Sequence, residues 1–168
     1  MKKTVVLLVS AFFSLSILAG ASLAADKFAY VDLSRTFSEY GKTKDYDTVL
    51  TSKEEAYNSD REKKVNEIKQ YQDKMNLLSD KEKETKKTDL ETKVKSLQDY
   101  DRQKQTDLRK EQDEKLKEIM KDIETAVKQQ AEKDGYTMVF NDRVLIYQNK
   151  NMDITDKIIE ILNKNYKK

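Results

Sequence analysis

The sequence predicts an α+β chain in which a small β-sheet body carries one long antiparallel α-helical hairpin arm. Three observations lead there. The 168 residues include 3 Gly, no Pro and no Trp, while 38% are charged, a balance that belongs to long solvated helices more than to a compact core. Gly41 and Gly135 bracket 93 residues, 42–134, in which 47 are charged and 23 apolar. A quarter apolar is too little for a globular helix, which uses about three positions in seven, and suits a coiled-coil seam of about two in seven. Outside the two glycines the composition changes to short apolar runs of strand type.

The first residues stand apart. Lys2 and Lys3 precede an almost wholly apolar run from Val5 to Leu18, and Ser22-Leu23-Ala24 places small residues at the two positions that a signal peptidase reads. Residues 1–24 are therefore expected to be a signal peptide cleaved after Ala24, which makes the protein an exported one. The run is short for a membrane span; an uncleaved signal anchor is the alternative. Leu18-Ala19-Gly20-Ala21 resembles a lipoprotein signal with Ala21 in the place of the lipidated cysteine. Two of the 33 basic residues leave with the leader, so 31 stand against 31 acidic ones. A mature chain near zero net charge argues against a nucleic-acid partner.

The body is expected from residues 25–41 and 135–168. Lys27-Phe28-Ala29-Tyr30-Val31-Asp32-Leu33 and Thr137-Met138-Val139-Phe140 have strand character, Asn141-Asp142-Arg143 has turn chemistry, and Val144-Leu145-Ile146-Tyr147 suggests a third strand. Both alternating sets in these strands are largely apolar, so both sheet faces need cover. Asp153 is placed to cap a last helix whose Ile154, Ile158, Ile161 and Leu162 form one stripe. That helix covers one face. A body of about 50 residues lies near the lower limit for a self-sufficient core, and with no cysteine it has no disulfide to compensate. Association of several bodies through their sheets is the natural completion, with Phe28, Tyr30, Val31, Met138, Phe140, Val144 and Ile146 as the residues of that oligomerisation body.

The arm is expected over residues 42–134. Tyr57, Arg61, Lys64, Ile68, Tyr71, Met75 and Leu78 recur at alternating steps of four and three, and Leu90, Val94, Leu97, Asp101, Lys104 and Leu108 repeat the pattern. Leu97, Leu108 and Ile119 are eleven apart, a period that relaxes left-handed supercoiling. Polar residues at several seam positions make the seam weak, so the arm should bend. Between the two runs, residues 79–88 hold no apolar side chain. A single helix through them would extend about 140 Å, whereas a hairpin with its tip near 79–88 gives an arm of about 60 to 65 Å; the near-equal halves favour the hairpin. Alternating charge from Lys81 to Lys87 favours a solvated helix face over a lipid contact.

Catalysis has little to draw on. The chain has no His and no Cys, so the commonest general base and the thiol nucleophile are missing. No glycine-rich phosphate loop occurs. Carboxylates are dispersed among matching lysines, which speaks against a divalent-metal cluster. No cofactor, no metal and no enzymatic activity are expected.

The ends of the chain carry a resemblance. Phe28-Ala29-Tyr30-Val31-Asp32-Leu33, then Phe37-Ser38-Glu39-Tyr40 and Lys42-Thr43-Lys44, resemble the first strand and helix start of the Skp/OmpH-like periplasmic chaperone family. Gly135-Tyr136-Thr137-Met138-Val139-Phe140 and Asp153-Ile154-Thr155-Asp156 resemble its closing strand and last helix. The resemblance implies a jellyfish-like homotrimer: joined sheet bodies, and three hairpins around a cavity. It also implies an ATP-independent holdase of the periplasm that keeps unfolded outer-membrane β-barrel proteins from aggregating, with release by competition from folding. Gly41 stands where relatives often carry a turn-forming proline. The near-zero mature charge departs from the family's basic members and argues against lipopolysaccharide or membrane-surface contact. Tyr46, Tyr57, Tyr71 and Tyr100 along the arm, and Leu77 near its tip, are candidate client contacts; equally, they are candidates for the seam that holds the hairpin closed. A structural coiled-coil spacer or adaptor with one folded partner in the envelope is the alternative to the holdase.

Overall fold

The computed structural model describes residues 26–166; the expected leader, 1–24, lies outside them. In chain order come β1 (Phe28–Val31), α1 (Leu33–Glu39), α2 (Gly41–Asn76), α3 (Asp80–Asp134), β2 (Met138–Asn141), 3-10 turns at Asp142–Val144 and Lys150–Met152, and α4 (Thr155–Asn165).

Local chemistry sets each boundary. The Asp32 carboxylate accepts from the Arg35 N–H at 2.8 Å and starts α1. Tyr40, in extended conformation, ends α1 and begins α2. The chain leaves helix again only over Leu77, Leu78 and Ser79. Ser79 and Glu82 form a capping box there, with the Ser79 N–H donating to Glu82 Oε2 at 3.0 Å. The expected tip segment is thus mostly helical: its polar residues 80–88 make the opening turns of α3, and the chain turns immediately before them. Gly135 closes α3 at φ 71°, a left-handed conformation that glycine adopts without a Cβ penalty.

Along α2 and α3 the partners run in opposite order. Lys53 meets Glu111, Tyr57 and Arg61 meet Asp101, and Tyr71 meets Asp89. Seam residues such as Ile68, Leu97 and Leu108 are only half-buried, because two helices alone leave part of every seam residue facing water.

The excursion through α2 and α3 returns the chain beside β1 in the same direction. The strands accordingly pair in parallel, Phe28 with Met138, Ala29 with Val139, Tyr30 with Phe140 and Val31 with Asn141. Ala29 and Val31 point inward onto Ile119, Ile123 and Ala126 of α3 and onto Ile154, Ile158 and Leu162 at α4. Each fully buried isoleucine there contributes about 2 to 3 kcal/mol by removal from water. The N-cap of α4 is Ile154 rather than the expected Asp153; Asp153 stands one residue further out, where its Oδ1 accepts from the Thr155 N–H at 2.9 Å.

One element departs from expectation. Val144-Leu145-Ile146-Tyr147 is not a strand. The Asn141 side chain accepts from the Arg143 N–H and turns the chain into a 3-10 turn over Asp142–Val144, carrying it away from the free edge of β2. The other edge of the sheet is touched by Asp153, which bridges to Tyr30, with the Ile154 N–H donating to the Tyr30 carbonyl at 3.0 Å. A single chain offers 144–147 nothing to pair with, and β propensity without a partner does not make a strand.

Candidate functional site

The face of the sheet turned away from α3 and α4 has little of its own chain over it. Phe28 is 38% exposed, Met138 54% and Phe140 37%. The Phe28 and Phe140 rings lie against each other at 6.2 Å across the strands. The chain then runs directly into Val144, Ile146 and Tyr147, which stand fully in solvent or nearly so. A shallow groove lined by Leu33, Phe37, Leu116, Met120 and Arg143 continues the apolar surface onto α1 and α3. Arg143 is held at its edge by a 2.5 Å bond to the Ser34 hydroxyl. A contiguous exposed apolar surface of this kind is the usual mark of an interaction surface.

Of the residues expected in the association body, Tyr30 and Val31 are buried within this chain. Val31 belongs to the inner core, and burial, with Asp153 and Asp142 adding to it, pushes the Tyr30 hydroxyl above its ordinary pKa. Phe28, Met138, Phe140, Val144 and Ile146 form the open face. Leu116 and Met120 were missed in the sequence, although both are partly exposed. Their signal was available: they lie four residues apart beside Ile119 and Ile123, where the narrow seam widens into a full apolar face.

The arm residues divide. Tyr57 and Tyr71 each donate a hydroxyl across the helix pair, to Asp101 and Asp89, both at 3.1 Å. Tyr100 lies 6.0 Å from the Tyr57 ring, with the ammonium groups of Lys64 and Lys104 at 5.0 and 5.8 Å from its centre. These three tyrosines tie the two helices together while part of each stays open to water. The Tyr46 hydroxyl is buried with no partner among the described residues. Leu77 is 87% exposed at the turn between α2 and α3.

Where the arm meets the body the polar contacts tighten. Lys42 Nζ lies 2.6 Å from Glu118 and 2.8 Å from Asp122. Lys115 bonds the other Glu118 oxygen at 2.7 Å, and the Tyr40 hydroxyl donates to Asp122 at 3.0 Å. The bonds from Lys115 and Lys42 hold the Glu118 carboxyl down to about 2. Burial and the Asp122 bond push Tyr40 up to about 12. Burial works against the charged Lys42, yet its two carboxylate partners hold it above the usual range. This cluster is structural cross-linking of α2 to α3. Among the described residues no group of three or more His, Cys, Asp or Glu side chains is placed to hold a metal ion, and no helix is long and apolar enough to cross a membrane.

No curated protein matches the chain. Among solved structures, it resembles the crystal structure of a candidate outer membrane chaperone (OmpH-like) from Caulobacter crescentus. The TM-score is 0.78 at 14% identity, over 84% of this chain and 86% of that one. At that identity the likeness speaks for the fold. The model of the family described as outer membrane protein (OmpH-like) matches residues 27–162, which span β1, both long helices, β2 and most of α4. On that match the chain belongs to the OmpH-like outer membrane protein family.

Proposed function

We propose that this protein is an ATP-independent periplasmic holdase, a homotrimer whose bodies join through their open sheet faces and whose three antiparallel hairpins grip unfolded outer-membrane proteins. One observation carries the reading. The body presents Phe28, Met138, Phe140, Val144 and Ile146 to solvent, while the arm beyond it has no comparable apolar surface. The body is thus the part that seeks a partner of its own kind, and the arms are left free for clients. In the assembly, Val144-Leu145-Ile146-Tyr147 of one copy would take up the strand pairing that a single chain cannot supply, against an open sheet edge of the next copy. Family membership supports the chaperone role.

The mechanism follows from a weak, wet seam. Tyr57, Tyr71 and Tyr100 keep half-exposed rings along the arm, and Leu77 stands free at its end. Each offers a shallow contact to an apolar segment, and each is quickly released. Three arms multiply such contacts into avidity with no chemical step, so release needs only that the client fold or insert elsewhere.

Native mass spectrometry of the mature protein, alone and with a urea-unfolded outer-membrane barrel diluted into buffer, tests this. A trimer that takes up one barrel and keeps it soluble is the expected result. A stable oligomer that ignores the barrel while it precipitates would overturn the holdase and leave a coiled-coil spacer or adaptor. A monomer at micromolar concentration would overturn the body as an association surface.

A further inference from the structure

The joint between body and arm on the α2 side is one residue wide. Helix is interrupted only at Tyr40 (φ −69°, ψ 126°), and the end of α4 takes hold of both sides of the break. The Gly41 N–H donates to Asn163 Oδ1 at 2.7 Å, and Asn163 Nδ2 donates to the Glu39 carbonyl at 3.2 Å. One carboxamide thus bridges the end of α1 and the start of α2. The Tyr166 ring stands edge-on to Tyr40 at 5.7 Å, and its hydroxyl donates to Asp45 in the first turns of α2 at 3.0 Å. A Cβ on Gly41 would lie 3.2 Å from Asn163 Oδ1 and 3.3 Å from the Tyr166 ring, so the approach is close on every side.

α4 itself is held elsewhere. Ile158 and Leu162 are buried in the core, Arg35 bonds Asp156, and Lys157 bonds Asp134. Its last turn can therefore let go of the joint while the body stays intact. Beside the joint, between α3 and α4, Tyr40, Lys42, Asp122, Ala126, Leu162 and Tyr166 line an open hollow of about 290 Å³, which leaves room for movement. α3 has no such break: it runs from the core at Gln130 to the tip at Asp80.

We infer that the C-terminal turn of α4 is a latch on the arm. With Asn163 and Tyr166 engaged, α2 is fixed at its root and the pair of helices leaves the body at one angle. With them released, α2 pivots at Tyr40–Gly41 and α3 flexes beyond Lys115, where it leaves the core. The latch consists of hydrogen bonds at a partly exposed site, which are individually weak and reversible. They act at the base of an arm about 50 Å long, so a small change at the root is a large displacement at the tip. The latch acts within one chain, whatever the arm grips.

The chain has no cysteine, so Leu77→Cys at the tip and Lys150→Cys in the body give one unique pair for spin labels. Labelled chain diluted into excess unlabelled chain reads only the intrachain distance. The latched protein should give one narrow distance distribution. Asn163→Ala should at least double its width, Tyr166→Phe should widen it less, and Lys164→Ala in the same turn should leave it unchanged. Asn163→Ala with full helicity and the width of the Lys164→Ala control would overturn the latch. Should Asn163→Ala unfold the body, Asn163→Asp decides. It keeps an acceptor for Gly41 and loses the donor to Glu39, so an intermediate width supports the latch and an unchanged width overturns it.

Discussion

The α2–α3 pair is built differently at its two ends. At the root, Ile119 and Ile123 are 1% exposed and meet Ala29, Val31, Ile154 and Ile158 in a dry core. Midway along the arm the same two helices meet through Tyr57, Arg61 and Asp101, with side chains that are part solvent on every side. The difference comes from the number of elements present. At the root a sheet and α1 and α4 add to the two helices, so a residue can be surrounded; beyond it there are only two, and none can be. Cohesion is therefore concentrated in the body. The outer arm is held by contacts that water competes with.

The largest expected effect tests the dry end. Ile158→Ala removes a side chain at 0% exposure and should cost about 3 kcal/mol, seen as a lower urea midpoint at unchanged slope. A cost below about 1 kcal/mol would mean that the body is not where stability resides. Gly135→Ala comes next. Nothing lies within 4 Å of a Cβ there, and φ is +71°, so the cost is backbone strain alone, about 1 to 2 kcal/mol. Thermal unfolding should show it without any change in oligomeric state.

Acid probes the ionic cross-link of α2 to α3 where the arm meets the body. Glu118 is held at about 2 against an ordinary 4.5. Its folded pKa is depressed, so its contribution is fully present above the unfolded value and is lost as pH falls from about 4.5 towards 2. Its side chain is 43% exposed, and solvent screening keeps the contribution under about 1 kcal/mol. The Gly41 amide resonance, followed by nuclear magnetic resonance, should shift through that window, and Glu118→Gln should remove its part of the change. The smallest effect belongs to the wet end. Tyr57→Phe loses one hydroxyl bond to Asp101 and should change stability by no more than about 0.5 kcal/mol. A loss of several times that size would erase the contrast between root and arm.

Much of this was legible in advance. Two glycines, a polar seam and two apolar ends announce long helices and a small sheet, because composition and period are properties of the chain itself. An aspartate at the entry to the last helix and the Ile154–Ile158–Leu162 stripe are local for the same reason. Their meaning depends only on residues within a few positions. The tip could be placed near 79–88 but not at its edge, since Ser79 and Glu82 make a capping box only once a helix begins there.

Other features needed the folded chain. Val144-Leu145-Ile146-Tyr147 has the composition of a strand and is none, because a strand exists only with a neighbour and this chain alone provides no partner for it. Tyr30 shares the face of Phe28 and Val31 takes the opposite one, yet both are buried within the chain, and only the positions of α3, α4 and Asp153 decide that. The four tyrosines of the arm look equivalent in sequence; the fold gives Tyr57 and Tyr71 an aspartate across the pair and gives the Tyr46 hydroxyl none. Asn163 and Tyr166 showed no signal, because the segment they grasp lies more than 100 residues earlier. Period and composition act along the chain and so are written in it. Burial, pairing and the grip of one helix on a distant joint are made between segments, and only the tertiary structure decides them.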